Sequence, residues 1–306
     1  MVFKALFIGL DYTHIEYRNL NNTTYLKKLI EYLKMVYNID KKDYEILTEM
    51  SGTSDSILLH LYKLGLETWS QNLDYALIYY IGDSINLADY AQAYTGNFNN
   101  IKQGLVPSDY NMKGIIDNAE VLNIFDQYNP KTKIIFITDS CFLHGNIFNL
   151  EFDWSKRNIT PYHKTCRKIL SISYSLAKYA SEDDNYYNIL TENENIKSFA
   201  NFIIKLGYMN DDIFNLLSDI NNVFYKKNIN MTVSLSASFY LTETDRNIFK
   251  CFEPNNKPKD DDFTSYAQTY QDITNELRKS HTTYEMQQYI PFTSIQPTQK
   301  IYECFC

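Results

Sequence analysis

The stretch that most constrains this chain is Lys131 to Gly145, KTKIIFITDSCFLHG. Ile134, Ile135, Phe136 and Ile137 form an unbroken apolar run, rich in β-branched residues, of the kind that forms a strand buried on both faces. The run stops at Asp139, Ser140 and Cys141, with His144 and Gly145 just beyond. Open α/β sheets bind ligands beyond the C-terminal ends of their parallel strands, so this strand delivers a thiol to a position suited to a nucleophile. A lone cysteine there more often finishes a core strand as a small apolar residue. The rest of the chain decides between the two.

Further strands are expected at 3–10, at Tyr44 to Thr48, at Ala76 to Tyr80, which is continuous and apolar in the same way, and at Ile169 to Tyr174. A last strand is expected at Thr232 to Leu241, alternating as a sheet edge does. Between the strands lie helical spacings. Leu26, Leu29, Ile30, Leu33 and Val36 share one face of a helix at 25–37, and Ile57, Leu58, Leu61 and Leu64 share a face of one that Ser54 caps. Further helices are expected at about 119–127, capped by Asn118, at 193–206 and at 211–226, with 81–116 irregular. Alternating strands and helices predict an α/β fold, a three-layer α/β/α sandwich with a mostly parallel central sheet and right-handed crossovers.

Composition shifts at Glu253, where Pro254, Pro258 and Asp260 to Asp262 read as a solvated linker. The expected division is a domain over 1–252 and a C-terminal linker and arm over 253–306, with a polar helix at 263–280. The net charge of -8, without a local Lys/Arg stripe, argues against a nucleic-acid partner. No apolar run approaches the roughly 18 to 20 residues of a membrane span, and MVFKALFIGLDY reads as a first strand. Five cysteines without paired spacing fit free thiols in a reducing, cytoplasmic setting. Phosphate-loop, His-Glu-x-x-His, Cys-x-x-Cys and Gly-x-Ser-x-Gly patterns are absent from the sequence.

Taken in order, ALFIGLDY (Ala5 to Tyr12), EILTE (Glu45 to Glu49), DYALIYYIGDS (Asp74 to Ser84) and IIFITDSC resemble the first four core strands of metacaspases. These are caspase-like cysteine peptidases (peptidase C14, clan CD). GLVPSD and GIIDNAEVLNIF are similar to the family's connection between the third and fourth strands, and ILSISYS and TVSLSASFYL stand in the places of its last ones. The likeness runs over about residues 3–243. It implies the caspase-like fold and endopeptidase activity after Arg or Lys, read by an acidic pocket and in many members aided by calcium. A histidine ending the third strand assists a cysteine ending the fourth. The assistance has a physical basis, since a thiol with pKa near 8.5 is mostly protonated at neutral pH.

Carried over residue by residue, Cys141 matches the nucleophile and Asp139 an acidic residue of the basic-residue pocket. Asp83 stands where the histidine belongs, 58 residues before Cys141, close to the separation of about 50 typical of caspases. A carboxylate there raises rather than lowers a neighbouring thiol's pKa. Asn22 appears where the family supplies a pocket aspartate. The family's acidic calcium run is reduced to Asp83 and Asp89, too few carboxylates for six to eight oxygen ligands, so no metal and no cofactor is expected.

Among the other histidines, His14 follows the first strand and is the best-placed substitute proton partner, ahead of His144, His163, His60 and His281. The basic loop 155–168 reads either as a processing loop or as an ordinary solvated one. Two readings result. In the first, the chain is a catalytically impaired or inactive metacaspase homologue, acting as a binding or regulatory module toward a protein or peptide partner such as an active metacaspase. In the second, it is an active endopeptidase using Cys141 with His14.

Overall fold

The computed structural model describes residues 2–13, 21–86, 103–144, 146–148, 150, 152–153, 165–176, 199–200, 203, 212–226, 231–239 and 241–246. Strands β1 (Phe3–Gly9), β2 (Tyr44–Thr48) and β3 (Tyr75–Ile81) are followed by β4 (Ser84–Asn86), β5 (Gln103–Leu105) and β6 (Ile116–Asp117). Then come β7 (Lys133–His144), β8 (Phe152–Asp153), β9 (Lys168–Leu176) and β10 (Met231–Ala237). The helices are α1 (Asn22–Tyr37), α2 (Ser54–Ser70), α3 (Tyr110–Lys113), α4 (Asn118–Phe125), α5 (Ile213–Lys226) and α6 (Glu243–Arg246).

The main sheet has the order β2-β1-β3-β7-β9-β10-β8. Its first five strands are mutually parallel, while β10 runs antiparallel to β9 and β8 antiparallel to β10. Strand period puts Leu6, Ile8, Ile78, Tyr80, Ile134 and Phe136 on one face, in a core shared with Ile57, Leu61 and Leu64 of α2 and Val121, Leu122 and Phe125 of α4. Phe7, Leu77, Tyr79, Ile135 and Ile137 alternate to the opposite face and are equally buried. There α1 lies over β1, so close that a Cβ on Gly9 would come within 2.8 Å of Leu26. Phe224 of α5 packs on Tyr174 of β9 with ring centroids 5.6 Å apart. The result is an α/β sandwich with a mostly parallel sheet covered on both faces, as the apolar strands require. Among the described residues no helix is long and apolar enough to cross a membrane.

Local chemistry explains the element ends. Asn38 closes α1 in the left-handed conformation (φ 51°), its N–H donating to the Lys34 carbonyl. The cap of α2 is Thr53 rather than Ser54, whose backbone N–H is instead held by Asp109 at 2.7 Å. Likewise Asp117, not Asn118, caps α4. Its carboxylate accepts from the Ala119 N–H at 2.8 Å while Glu120 accepts from the Asp117 N–H at 2.9 Å, a reciprocal capping box. Gly65 lets α2 press on Tyr128: a Cβ there would lie 2.8 Å from the ring, and the Tyr128 hydroxyl donates to the Leu61 carbonyl at 2.7 Å.

Two expectations are revised. Residues 81–116 are not wholly irregular, because β4, β5 and β6 form a small antiparallel sheet over the end of β3. The alternation in β10 does not mark an edge, since β10 lies between β9 and β8. Its serines pair with those of β9, Ser234 opposite Ser173 and Ser236 opposite Ser171, and all four are buried. Two of the four meet backbone instead of water: Ser173 accepts from the Ile147 N–H at 3.1 Å and Ser236 from the Leu150 N–H at 2.9 Å. Asn146 completes the seam by donating to the Ser171 carbonyl at 3.0 Å. Of the helix expected at 193–206, residues 199, 200 and 203 are described, and all three are helical and buried. The expectations for 253–306 lie outside the described residues.

Candidate functional site

The ends of β1, β3 and β7 come together at the C-terminal edge of the sheet. Pairing runs in register to the last residues, with Gly9 opposite Ile81 and Ile81 opposite Asp139. It is prolonged by the Leu10 N–H on the Ile81 carbonyl at 3.0 Å and the Gly82 N–H on the Asp139 carbonyl at 3.2 Å. The segments 82–84 and 139–141 are therefore neighbours in space, as the site requires.

Two buried tyrosines hold the β3 end. The Tyr12 hydroxyl donates to the Val106 carbonyl at 2.6 Å, accepts from the Asp83 N–H at 2.8 Å and lies 3.1 Å from the Tyr80 hydroxyl. Tyr80 in turn shares its proton between the carbonyls of Asp83 (2.6 Å) and Val106 (2.9 Å). Val106 returns its own N–H to the Asp83 carbonyl at 3.1 Å. Burial pushes the Tyr80 phenol far above its ordinary pKa, only partly offset by the bonds to Tyr12 and Val106. Tyr80 thus acts as a neutral strut beside Tyr12. Gly82 makes room for them, since a Cβ there would stand 2.8 Å from the Tyr80 oxygen and 2.9 Å from that of Tyr12.

Glu49, just past β2, fixes the β1 end, accepting from the Asp11 N–H and, at 2.7 Å, from the N–H of Tyr12, whose φ is 54°. Asn22 donates from its amide to the Leu10 carbonyl at 2.7 Å. A carboxylate has no hydrogen to give there, so an amide at this position serves the strand end directly.

On β7, Asp139 is 4% exposed; one of its carboxylate oxygens accepts from the Tyr79 hydroxyl at 2.8 Å and the Ala200 N–H at 3.3 Å. Ser140 points to the other face and hydrogen-bonds the Ser84 hydroxyl, tying the β7 end to β4. Beyond Asp139 the ladder with β9 slips: Asp139 faces Tyr174, but His144 already faces Leu176, so the backbone bulges in the segment holding Cys141. Bulges re-aim strands and recur beside functional sites.

Asp83, at 2% exposure, is thus brought beside the strand end bearing Cys141. His14, His163 and Asp89, and the thiol of Cys141, lie outside the described part of the structure. His60 sits elsewhere. Its ring meets the Ser56 carbonyl at 2.8 Å and Glu45 at 3.4 Å, level with the middle of the sheet. Among the described residues no group of three or more His, Cys, Asp or Glu gathers closely enough to hold a metal. Tyr12, Tyr80, Glu49 and Ser84, which shape the site, carry no local sequence signal that singles them out.

A parallel sheet covered on both faces, with an Asp-Ser-Cys segment ending a central strand, defines a caspase-like α/β domain. Residues 3–151 match the family model of the metacaspase, peptidase C14 domain. No curated protein matches the sequence. Among solved structures, protein GSU0716 from Geobacter sulfurreducens shares the fold at 11% identity and a TM-score of 0.50, covering 85% of this chain and all (100%) of that one. The Drosophila initiator caspase Dronc also matches, at 12% identity and a TM-score of 0.42 over 76% of this chain and 79% of its own.

Proposed function

We propose that this metacaspase-like protein is a catalytically impaired homologue that works as a binding or regulatory module in the cytoplasm. Its caspase-like domain over 1–252 engages a protein or peptide, such as an active metacaspase, and 253–306 serves as an appended arm. The observation that carries this reading is Asp83. At the end of the third strand, where the family places its proton-carrying imidazole, stands a buried carboxylate whose backbone N–H and carbonyl are both tied down by tyrosines. A carboxylate beside a thiol disfavours the thiolate, so the group that attacks a peptide carbonyl is suppressed rather than formed.

The rival reading, an endopeptidase cleaving after Arg or Lys, rests on the retained Asp139, Ser140 and Cys141 and needs His14 as proton partner. Peptidase assays on Arg- and Lys-ended fluorogenic peptides, with and without calcium, separate the two. The wild type is expected to be silent, and turnover that disappears in Cys141→Ala would overturn the proposal. Activity gained by Asp83→His would locate the defect at that one side chain.

A further inference from the structure

The outer side of β10, away from β9, is closed by two different devices. Toward its C-terminal end β8 pairs with Ser236 and Ala237. Nearer its start, a helix side chain takes the place of a strand. Asn221 of α5 accepts from the Val233 N–H through Oδ1 at 2.9 Å and donates through Nδ2 to the Val233 carbonyl at 3.3 Å. Val233 lies opposite Tyr174 of β9, and residues along an antiparallel ladder alternate between bonding the partner strand and turning their N–H and C=O outward. Val233 is one of the outward ones. A carboxamide carries the same donor and acceptor as a peptide group, so Asn221 exchanges two bonds with Val233 as a residue of a further strand would. Packing puts it there: Ile213, Leu216, Leu217, Ile220 and Phe224 form the buried stripe of α5, and half-buried Asn221 flanks it four residues after Leu217.

We infer that Asn221 guards the outer edge of β10 against pairing with a second copy of this chain. An open strand edge offers unpaired N–H and C=O groups on which another strand builds, and proteins blunt such edges with charge, proline or bulges. Met231 to Leu235, MTVSL, carries neither charge nor proline. It is five residues long, a usual strand length. A two-fold axis at Val233 would pair the stretch antiparallel with itself, each Val233 taking the place that Asn221 holds for the other. No like charges would meet across that pair, so the amide of Asn221 supplies the protection that the strand's own side chains lack. This role holds whether or not Cys141 is reactive.

Sedimentation velocity and amide hydrogen exchange on the full chain test it. Asn221→Ala opens the edge and is expected to dimerise at concentrations where the wild type gains no mass. At low concentration its Val233 amide should exchange about 10-fold faster or more. Asn221→Lys also removes the acceptor for the Val233 N–H but sets a charge at the edge. It is expected to lose the same protection at Val233 while sedimenting like the wild type. Asn222→Ala, at an exposed neighbour on α5, should match the wild type in both measurements. An Asn221→Ala chain that sediments like the wild type would overturn the inference. So would association shared equally by Asn221→Lys, which would trace it to unfolding, and so would an unchanged Val233 amide.

Discussion

Tyr12→Phe tests whether the tyrosine pair really holds the strand end carrying Asp83. The substitution removes one oxygen and leaves the ring. That oxygen donates to the Val106 carbonyl at 2.6 Å and accepts from the Asp83 N–H at 2.8 Å. Val106 keeps the Tyr80 hydroxyl at 2.9 Å, but the Asp83 N–H, in a residue 2% exposed, loses its phenol acceptor. Two net hydrogen bonds at about 1 kcal/mol each, plus the penalty for a buried donor deprived of its acceptor, predict a loss of about 2 to 4 kcal/mol. Tyr128→Phe is the matched comparison. It removes one bond, to the Leu61 carbonyl inside α2, and should cost about 1 kcal/mol. Urea unfolding at unchanged m-value gives both differences. Native-state hydrogen exchange localises the effect, with the Asp83 amide expected to exchange roughly 30-fold faster or more in Tyr12→Phe. Equal destabilisation by the two variants, or an unchanged Asp83 amide, would refute the reasoning.

Two other contacts make sharp predictions. Lys133 of β7 and Asp245 of α6 form a hydrogen-bonded ion pair. Burial opposes both charges, yet the pair outweighs it, so Asp245 titrates below the ordinary carboxylate range and Lys133 above the ordinary lysine range. The Asp245 contribution is thus present above about pH 4 and lost as pH falls through its depressed pKa, while that of Lys133 is lost only at strongly alkaline pH. Asp245→Asn should therefore destabilise by about 1 to 2 kcal/mol at pH 7, and the gap to wild type should close below pH 4 in unfolding curves collected across pH. Gly65→Ala should be destabilising by thermal unfolding, despite the roughly 1 kcal/mol by which a helix interior favours alanine, because the added Cβ meets the fixed Tyr128 ring at 2.8 Å.

The central sheet is legible because its signals are local. Ile134 to Ile137 and Ala76 to Tyr80 are apolar without interruption, and only a strand covered on both faces accepts that. The Asp-x-x-Glu pattern at Asp117 and Glu120 likewise marks the start of α4 one residue ahead of Asn118. The site is less legible, because Tyr12, Tyr80, Asp83 and Val106 meet one another across separations of up to 94 residues, and nothing near them distinguishes two struts among 27 tyrosines. The small sheet β4-β5-β6 has strands of two or three residues, too short to show a period. Polar alternation in β10 resembles that of a solvated face, since a buried serine satisfied by a distant backbone N–H looks in sequence like an exposed one.

That serine seam also meters the chain. Ile147 and Leu150 engage Ser173 and Ser236 through their backbone N–H groups, so the match depends on spacing as well as on apolar side chains. Conservative exchanges among apolar residues at 147, 148 and 150 leave both bonds available, whereas inserting one residue between 147 and 150 puts one of the two out of step. The connection leaving the Cys141 strand is thus tolerant in composition and strict in length, and an indel scan through 146–150 would read that difference directly.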